Sequence, residues 1–497
     1  MVFTSWAFVV FLSCVLGALA LARSRTSRQL VILLSSIFFY GYWNKIYLLL
    51  LAAPSVIDYY CAIFIAGTDR PRMRKLWVVV SLVSNLGLLA YFKYANFFLS
   101  NFAAWFGRDL KPLHIVLPIG ISFYTFKTLS YTIDVYRREL PACRDWWKYA
   151  MFVTYFPELI AGPIVRASVF LPQMTRSLKP SGKRAIVGLE LILLGVTKKL
   201  LIADRMAVLA DAVFEHPHFF SPLTVASGVV AYSLQIYCDF SGYSDIAIGV
   251  SRIIGFDLPE NFNMPYLSTS ITEFWRRWHM TLSKWLRDYL YIPLGGNRHG
   301  RSRTYINLMM TMLLGGLWHG ANWTFVIWGG LHGLALASHK LWMETNRGRY
   351  KLPGFVSWAA TYVFVCFGWI FFRSPNFKSA AVILRKLLLQ DRSGIGYLYL
   401  PLLLAIPVVI GAHFVGRYVG NLAAVSEGAR YIRPPRWARS LYRDCGERLA
   451  LKPHSAAGYY ILLPLPGFVG GFIVTMWILA LYLFSSVNTN PFIYFQF

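Results

Sequence analysis

The sequence predicts an all-α integral membrane protein, polytopic, with about twelve transmembrane helices plus re-entrant and interfacial helices, and three observations carry that prediction. Hydrophobic residues make up 57% of the 497 positions and aromatic residues 17%, while charged residues supply only 14%, a balance foreign to water-soluble chains. Apolar stretches of roughly 20 residues, the length a helix needs to cross the hydrocarbon, recur from end to end. The breaks between them are short, and basic residues gather in alternate breaks, as cytoplasmic loops require. Nothing is left over for a separate soluble domain, so residues 1–497 read as a single membrane-embedded unit.

The first apolar run, Val2 to Ala22, has no charge ahead of its core and reads as a first span rather than as a secretory signal. Further spans follow near 29–43, 46–66, 76–100, 113–136, 185–202, 223–250, 304–319, 323–341, 355–373, 398–416 and 459–486. With both termini outside, the basic loops at 23–28, 69–75, 137–148, 166–184, 276–303 and 417–453 all fall on the cytoplasmic side. Residues 149–165 begin and end on that side and contain Pro157 and Pro163. They read as a re-entrant element, and such backbone is tolerated only where protein or water covers it, which marks a cavity.

The segment 268–294, STSITEFWRRWHMTLSKWLRDYLYIPL, reads as an interfacial helix rather than a span. Ser270 followed by Glu273 is a capping box, and Trp275, Trp278, Leu282, Trp285 and Tyr289 recur at steps of three and four to form one aromatic face. Arg276, Arg277, Lys284 and Arg287 occupy other faces, so the helix is expected to lie along the cytoplasmic surface with its rings among the headgroups. His279 falls on its inward side, where spacing alone leaves a functional and a structural role equally open.

The 49 Lys and Arg outnumber the 22 Asp and Glu to give a formal charge of +27. Because these charges sit between hydrophobic spans beside Trp and Tyr, anionic membrane lipids are the expected partner and nucleic acid is not. The six cysteines show no close paired spacing, so neither a metal site nor a disulfide framework is indicated. No tandem repeat and no glycine-rich nucleotide loop stands in a strand-to-helix setting.

Chemistry is indicated by LLGGLWHGANWTFVIWGGLHG (313–333), which places His319 and His332 inside an apolar stretch. Hydrocarbon offers an ionisable group no solvent, so a histidine at that depth is read first as functional. Gly315, Gly316 and Gly320 leave room for close backbone approach around His319, whereas the glycines flanking His332 point to helix packing and a structural role. In QIYCDFSGYSD, Asp239 and Asp245 must be paired, hydrated or protonated, and structural ion pairing weighs evenly against function. In YFPELIAGPIVR, Glu158 and Arg166 bracket the re-entrant bend and are expected to anchor it.

LPIGISFYTFKTLSYTIDVYR (117–137), YFPELIAGPIVR, DFSGYSDIAIG, PENFNMPYLSTSITEFWRRWHMTLSKWLRDYLYIPLGGNR, LWHGANWTFVIWGGLHG and the closing PFIYFQF together resemble the membrane-bound O-acyltransferase family. The likeness runs from about residue 30 to the C-terminus with the motifs in the family's order, and is greatest to the bacterial branch serving alginate, cellulose and peptidoglycan acetylation. The resemblance implies that His319 occupies the family's active-site position and that His279 matches the second histidine of this branch. It implies a bowl-like helical fold, thinned at its centre, in the bacterial inner membrane. It also implies acetyl-CoA or another acyl thioester as a donor used but not retained, a periplasmic hydrolase-like acetyltransferase that receives the acyl group, and a polysaccharide biosynthesis and export complex around both.

An imidazole that titrates near neutrality can take the proton of an attacking hydroxyl, the role expected of His319. His279 would orient His319, position the donor or relay a proton, and Arg276 and Arg277 would attract the donor's phosphates. Two other readings stay open on sequence: D-alanyl transfer to teichoic acid from an acyl carrier protein, and a proton-coupled transporter or flippase.

Overall fold

A computed structural model describes residues 1–159, 162–175, 182–346, 349–350, 352–428, 468–485 and 492–493. Among the described residues the regular structure is helical, relieved by one parallel bridge between Phe220 and Ile395. The chain opens with α1 (Trp6–Leu21), α2 (Arg25–Gly41) and α3 (Lys45–Ala66). Next, α4 (Pro71–Leu89) runs through a π-helical turn at Ala90–Tyr94 into α5 (Ala95–Phe106). Four short or buried helices follow, α6 (Ile121–Tyr136), α7 (Trp146–Thr154), α8 (Phe156–Leu159) and α9 (Ala167–Phe170). Then come α10 (Gly182–Thr197), a second π turn at Lys198–Ala203, α11 (Asp204–Glu215) and α12 (Pro222–Ile254).

Helix α12 is the axis of the molecule. Its 33 residues reach about 50 Å, and α10, α11 and several shorter helices pack along it. Local chemistry sets its limits: Ser221 caps the first turn by accepting from Thr224 N–H, Pro222 fills the first helical position, and Gly255 at φ 120° ends it in a conformation that L side chains resist. Four segments, Lys45–Ala66, Pro71–Phe106, Gly354–Arg373 and Leu400–Arg417, are long and apolar enough to cross a membrane, and Trp6–Leu21 and Gly471–Phe484 are shorter and apolar.

Several buried lysines of the core are matched by carboxylates. Lys199 lies 2.9 Å from Asp204 and 2.8 Å from Asp239, Lys198 lies 2.6 Å from Asp245, and Lys127 pairs with Glu158. The π turn at Lys198–Ala203 presents Lys198 and Lys199 together to α12. Asp239 and Asp245 are thus both ion-paired. Asp239 also accepts from the backbone N–H of Ile493 at 2.7 Å, while Phe492 packs 4.3 Å from the Tyr243 ring, which docks these two residues on α12.

The remaining helices are α13 (Ile271–Arg277), α14 (Met280–Leu286), α15 (Gly300–His319), α16 (Trp323–Asn346), α17 (Gly354–Arg373), α18 (Phe377–Leu387), α19 (Leu400–Gly428) and α20 (Phe468–Phe484). They require several corrections to the sequence reading. The expected single helix over 268–294 is two helices followed by a π turn at Arg287–Tyr291, because Trp278 is extended and His279 is left-handed at φ 41°, ψ 53°. Its aromatic face does not lie among headgroups: Trp278 is buried, and Trp285 stacks at 3.7 Å on Phe126 while donating its indole N–H to the Phe126 carbonyl. The capping box closes one residue early, since Glu273 reaches back to Thr269 N–H instead of Ser270 N–H. The span expected at 113–136 is helical only from Ile121, and α11 and α18 were not anticipated. Helix α19 carries the opening of the basic loop expected at 417–453, and the rest of that loop lies outside the described residues.

The segment expected to be re-entrant packs inside the protein over its described residues. Tyr149, Phe152, Tyr155, Phe156 and Leu159 are fully buried, so protein covers the backbone around Pro157. Glu158 is tied to Lys127 and Arg166 to Asp288 at 2.5 Å, the anchoring expected of both.

Candidate active site

The site is built around the tip of the α15–α16 hairpin. A Cβ on Gly316 would fall 2.3 Å from the Phe325 carbonyl oxygen, and one on Gly329 would fall 2.3 Å from that of Met312, so the two helices approach backbone to backbone. That contact lets α15 end at His319, whose last turn is held from outside the hairpin. Lys93 Nζ donates to the carbonyls of Trp318 (2.6 Å) and His319 (3.0 Å), and Tyr94 OH donates to that of Leu317 (2.9 Å). The first π turn thereby satisfies carbonyls that a helix terminus leaves open and sets an ammonium at the negative end of the α15 dipole.

His319 is 4% exposed, with the rings of Trp318, Trp328 and Phe372 centred 5.0, 5.2 and 5.2 Å away. His279, fully buried at the break between α13 and α14, meets the edge of Phe240 at 4.7 Å and the Trp318 ring at 6.4 Å. His332, also fully buried, lies 4.8 Å from Trp328 and accepts the indole N–H of Trp275 on Nδ1 at 3.2 Å. Trp318 therefore touches both His279 and His319, and Trp328 touches both His319 and His332. The imidazoles of His279 and His332 and the amine of Lys93 lie within electrostatic reach of His319 in one aromatic chamber.

The break that carries His279 is pinned by the loop after α12. Met280 N–H donates to the Asn261 carbonyl and Asn263 N–H to that of Arg277, both at 2.9 Å. These bonds hold a non-glycine residue at positive φ, a conformation that costs about 1–2 kcal/mol and persists only where its surroundings impose it.

Sequence reasoning placed His319 and His279 in one site, and both line this chamber. It placed Arg276 and Arg277 together as donor-binding groups. Arg277 bonds Glu273 at 2.9 Å and the Asn263 carbonyl at 3.1 Å, while Arg276 is exposed. Among the described residues no three His, Cys, Asp or Glu side chains gather in a metal-binding group. Lys93, Asn261, Trp318 and Trp328 were not singled out. Trp318 and Asn261 lie in the LWHG and PENFN motifs, but Lys93 stands in a run, AYFKYANF, whose only signal is a lone lysine inside an apolar segment.

Buried histidines inside an all-helical membrane scaffold define a class, and sequence comparison supplies it: the chain belongs to the membrane-bound O-acyltransferase family. The family's profile matches residues 138–379. The protein is therefore a multi-pass membrane O-acyltransferase, and the transporter reading falls. Among its relatives, the probable alginate O-acetylase AlgI of Pseudomonas aeruginosa is 45% identical over 388 residues, which cover 76% of this chain and 73% of that protein. The peptidoglycan O-acetyltransferase of Helicobacter pylori is 38% identical over 393 residues, 74% of this chain and 75% of that protein. A teichoic acid D-alanyltransferase of Bacillus subtilis is 28% identical over 289 residues, 54% of this chain and 71% of that protein.

Proposed function

We propose that this enzyme moves an acetyl group from a cytoplasmic thioester, acetyl-CoA or another acyl thioester, across the bacterial inner membrane for O-acetylation of an extracytoplasmic polysaccharide such as alginate. The single observation that carries the proposal is His319 at the end of α15, in an aromatic chamber it shares with His279, in a chain whose similarity to an alginate O-acetylase spans three quarters of its length. The D-alanyl reading has the weaker support, because that relative matches barely half the chain.

In this mechanism the hydroxyl oxygen of the acceptor attacks the thioester carbonyl. Its proton passes to His319, the C–S bond breaks, and the proton returns to the leaving thiolate, so the imidazole ends as it began. Exclusion of water by Trp318, Trp328 and Phe372 protects the thioester from hydrolysis. His279 orients His319, positions the donor or relays the proton, and Arg276 and Arg277 attract the donor's phosphates from the cytoplasmic face. About twelve spans, one membrane-embedded domain, a periplasmic acetyltransferase that completes the transfer and a surrounding biosynthesis and export complex belong to the same proposal. An acyl carrier protein is the partner expected if D-alanine is the group moved.

The test is the O-acetyl content of the host's surface polysaccharide, read by NMR in a deletion strain complemented with wild type or with His319→Ala at matched membrane levels. Acetylation restored by wild type alone supports the proposal. Restoration by both removes His319 from the chemistry, and an unchanged deletion strain sends the search to D-alanyl esters.

A further inference from the structure

We propose that Asn261 is a positioning residue for His279: it locks that imidazole in the tautomer protonated on Nδ1 and leaves Nε2 as the ring's accepting nitrogen. The argument runs through proton counting at one oxygen. Asn261 Oδ1 lies 3.3 Å from the backbone nitrogen of Thr281, 2.9 Å from Thr281 Oγ1 and 3.0 Å from His279 Nδ1. A backbone N–H can only donate, so the Asn261 atom that faces it is the oxygen and not the amide nitrogen. Thr281 Oγ1 points to the same assignment, because it already accepts the N–H of Ile164 at 3.0 Å and directs its own proton to Asn261. The amide nitrogen of Asn261 is turned the other way, towards Ser244 Oγ at 3.3 Å. With an acceptor fixed at Oδ1, His279 completes the contact only as a donor from Nδ1, and its neutral ring carries the lone pair on Nε2.

That nitrogen is buried and has no hydrogen-bond partner among the described residues. A buried imidazole nitrogen left in this state is positioned to accept, from a substrate hydroxyl or a second imidazole, and a neutral ring so held cannot donate from it. His332 shows the opposite arrangement. The Trp275 indole donates to its Nδ1, which places the His332 proton on Nε2. Two buried histidines of one chamber are thus held in opposite tautomers by partners whose donor or acceptor character is not adjustable. Through Ile164 and Thr281 the lock also extends to the re-entrant element, so the tautomer of His279 depends on the segment that packs beneath it.

Only the kinetic arm of the test rests on the acyl-transfer reading. Full-length enzyme labelled with 15N-histidine is purified in nanodiscs as wild type, Asn261→Ala and Asn261→Asp, with His279→Gln to assign the resonances. In wild type the His279 signals are expected to show a protonated Nδ1 and an unprotonated Nε2. Asn261→Ala is expected to mix the tautomers and to lower kcat by roughly tenfold or more with KM within about twofold, whereas Asn261→Asp, which still accepts, keeps the tautomer and most of kcat. A wild-type His279 protonated on Nε2 overturns the proposal without need of any variant. So does a tautomer unchanged in Asn261→Ala, or an Asn261→Asp enzyme as slow as Asn261→Ala at equal folded fraction. Wild type with the expected tautomer but no acyl transfer overturns the proposed function and leaves the lock standing.

Discussion

Lys199, between Asp204 and Asp239, and His279, between Asn261 and the rings of Phe240 and Trp318, are equally withdrawn from solvent, yet their surroundings treat them differently. The lysine is matched by carboxylates at both contacts, and the same holds for Lys198 with Asp245 and Lys127 with Glu158. The histidine has one nitrogen committed and the other left over, among aromatic rings that supply no charge. Burial of a charge is tolerable where a partner offsets the loss of water, so the paired layer is complete in itself and holds α10, the second π turn and α12 together. In the chamber His279 Nε2 is left without a hydrogen-bond partner among the described residues, and under the proposed function a substrate supplies one.

The sharpest way to break this contrast is to remove one ion-pair partner. Lys199→Met leaves Asp204 and Asp239 buried without that ammonium and is expected to cost about 3–5 kcal/mol, seen as a large fall in the melting temperature of the solubilised protein. A variant that melts with wild type would mean the layer is not scaffold. Next in size is Gly316→Val, whose side chain meets the Phe325 carbonyl; overpacking is expected to cost about 1–3 kcal/mol and to lower acyl transfer by displacing the end of α15. Thermal unfolding and transfer rate should fall together, and a loss confined to the rate would argue that the hairpin is not what places His319.

Trp275→Phe removes the donor to His332 and is expected to cost about 0.5–1.5 kcal/mol while leaving transfer nearly unchanged. Collapse of the rate in that variant would move His332 from support to chemistry. The smallest effect concerns Asp288. Partial burial opposes its ionisation, but hydrogen bonds from Arg287 and then Arg166 outweigh it and hold the carboxyl below the usual carboxylate range. A depressed value in the folded state contributes stability that is present above the ordinary value of 3.8 and is lost as pH falls through the lower folded value. Acidification below about pH 4 should therefore loosen the Arg166 anchor, by about 1 kcal/mol or less, and hydrogen exchange over 156–170 should rise there in wild type and show no such acid limb in Asp288→Asn.

Much of this was legible in the sequence because hydropathy and charge act locally. The helices over 46–66 and 355–373 lie within a residue or two of their expected limits, and the histidine in LWHG stood out as an ionisable group in an apolar run. What escaped depends on contacts between distant segments. Nothing between Ser270 and Leu294 announces a break at His279, since the left-handed turn is imposed by the loop around Asn261. The buried carboxylates were visible while their partners were not, because Lys127 identifies itself only when helices pack, and Lys198 and Lys199 only when a π turn aims them at α12. The ion pair of Arg277 with its neighbour four residues back, Glu273, escaped for the same kind of reason.

The most direct test of the contrast is acyl transfer per folded molecule, measured on purified His319→Ala and Lys199→Met in one assay. The predicted result is that His319→Ala folds close to normally and loses roughly 10²- to 10⁴-fold in rate, while Lys199→Met yields little folded protein that nonetheless transfers at close to the wild-type rate. A folded Lys199→Met enzyme without activity, or a His319→Ala enzyme that transfers normally, would contradict the division between a paired scaffold and a histidine chamber.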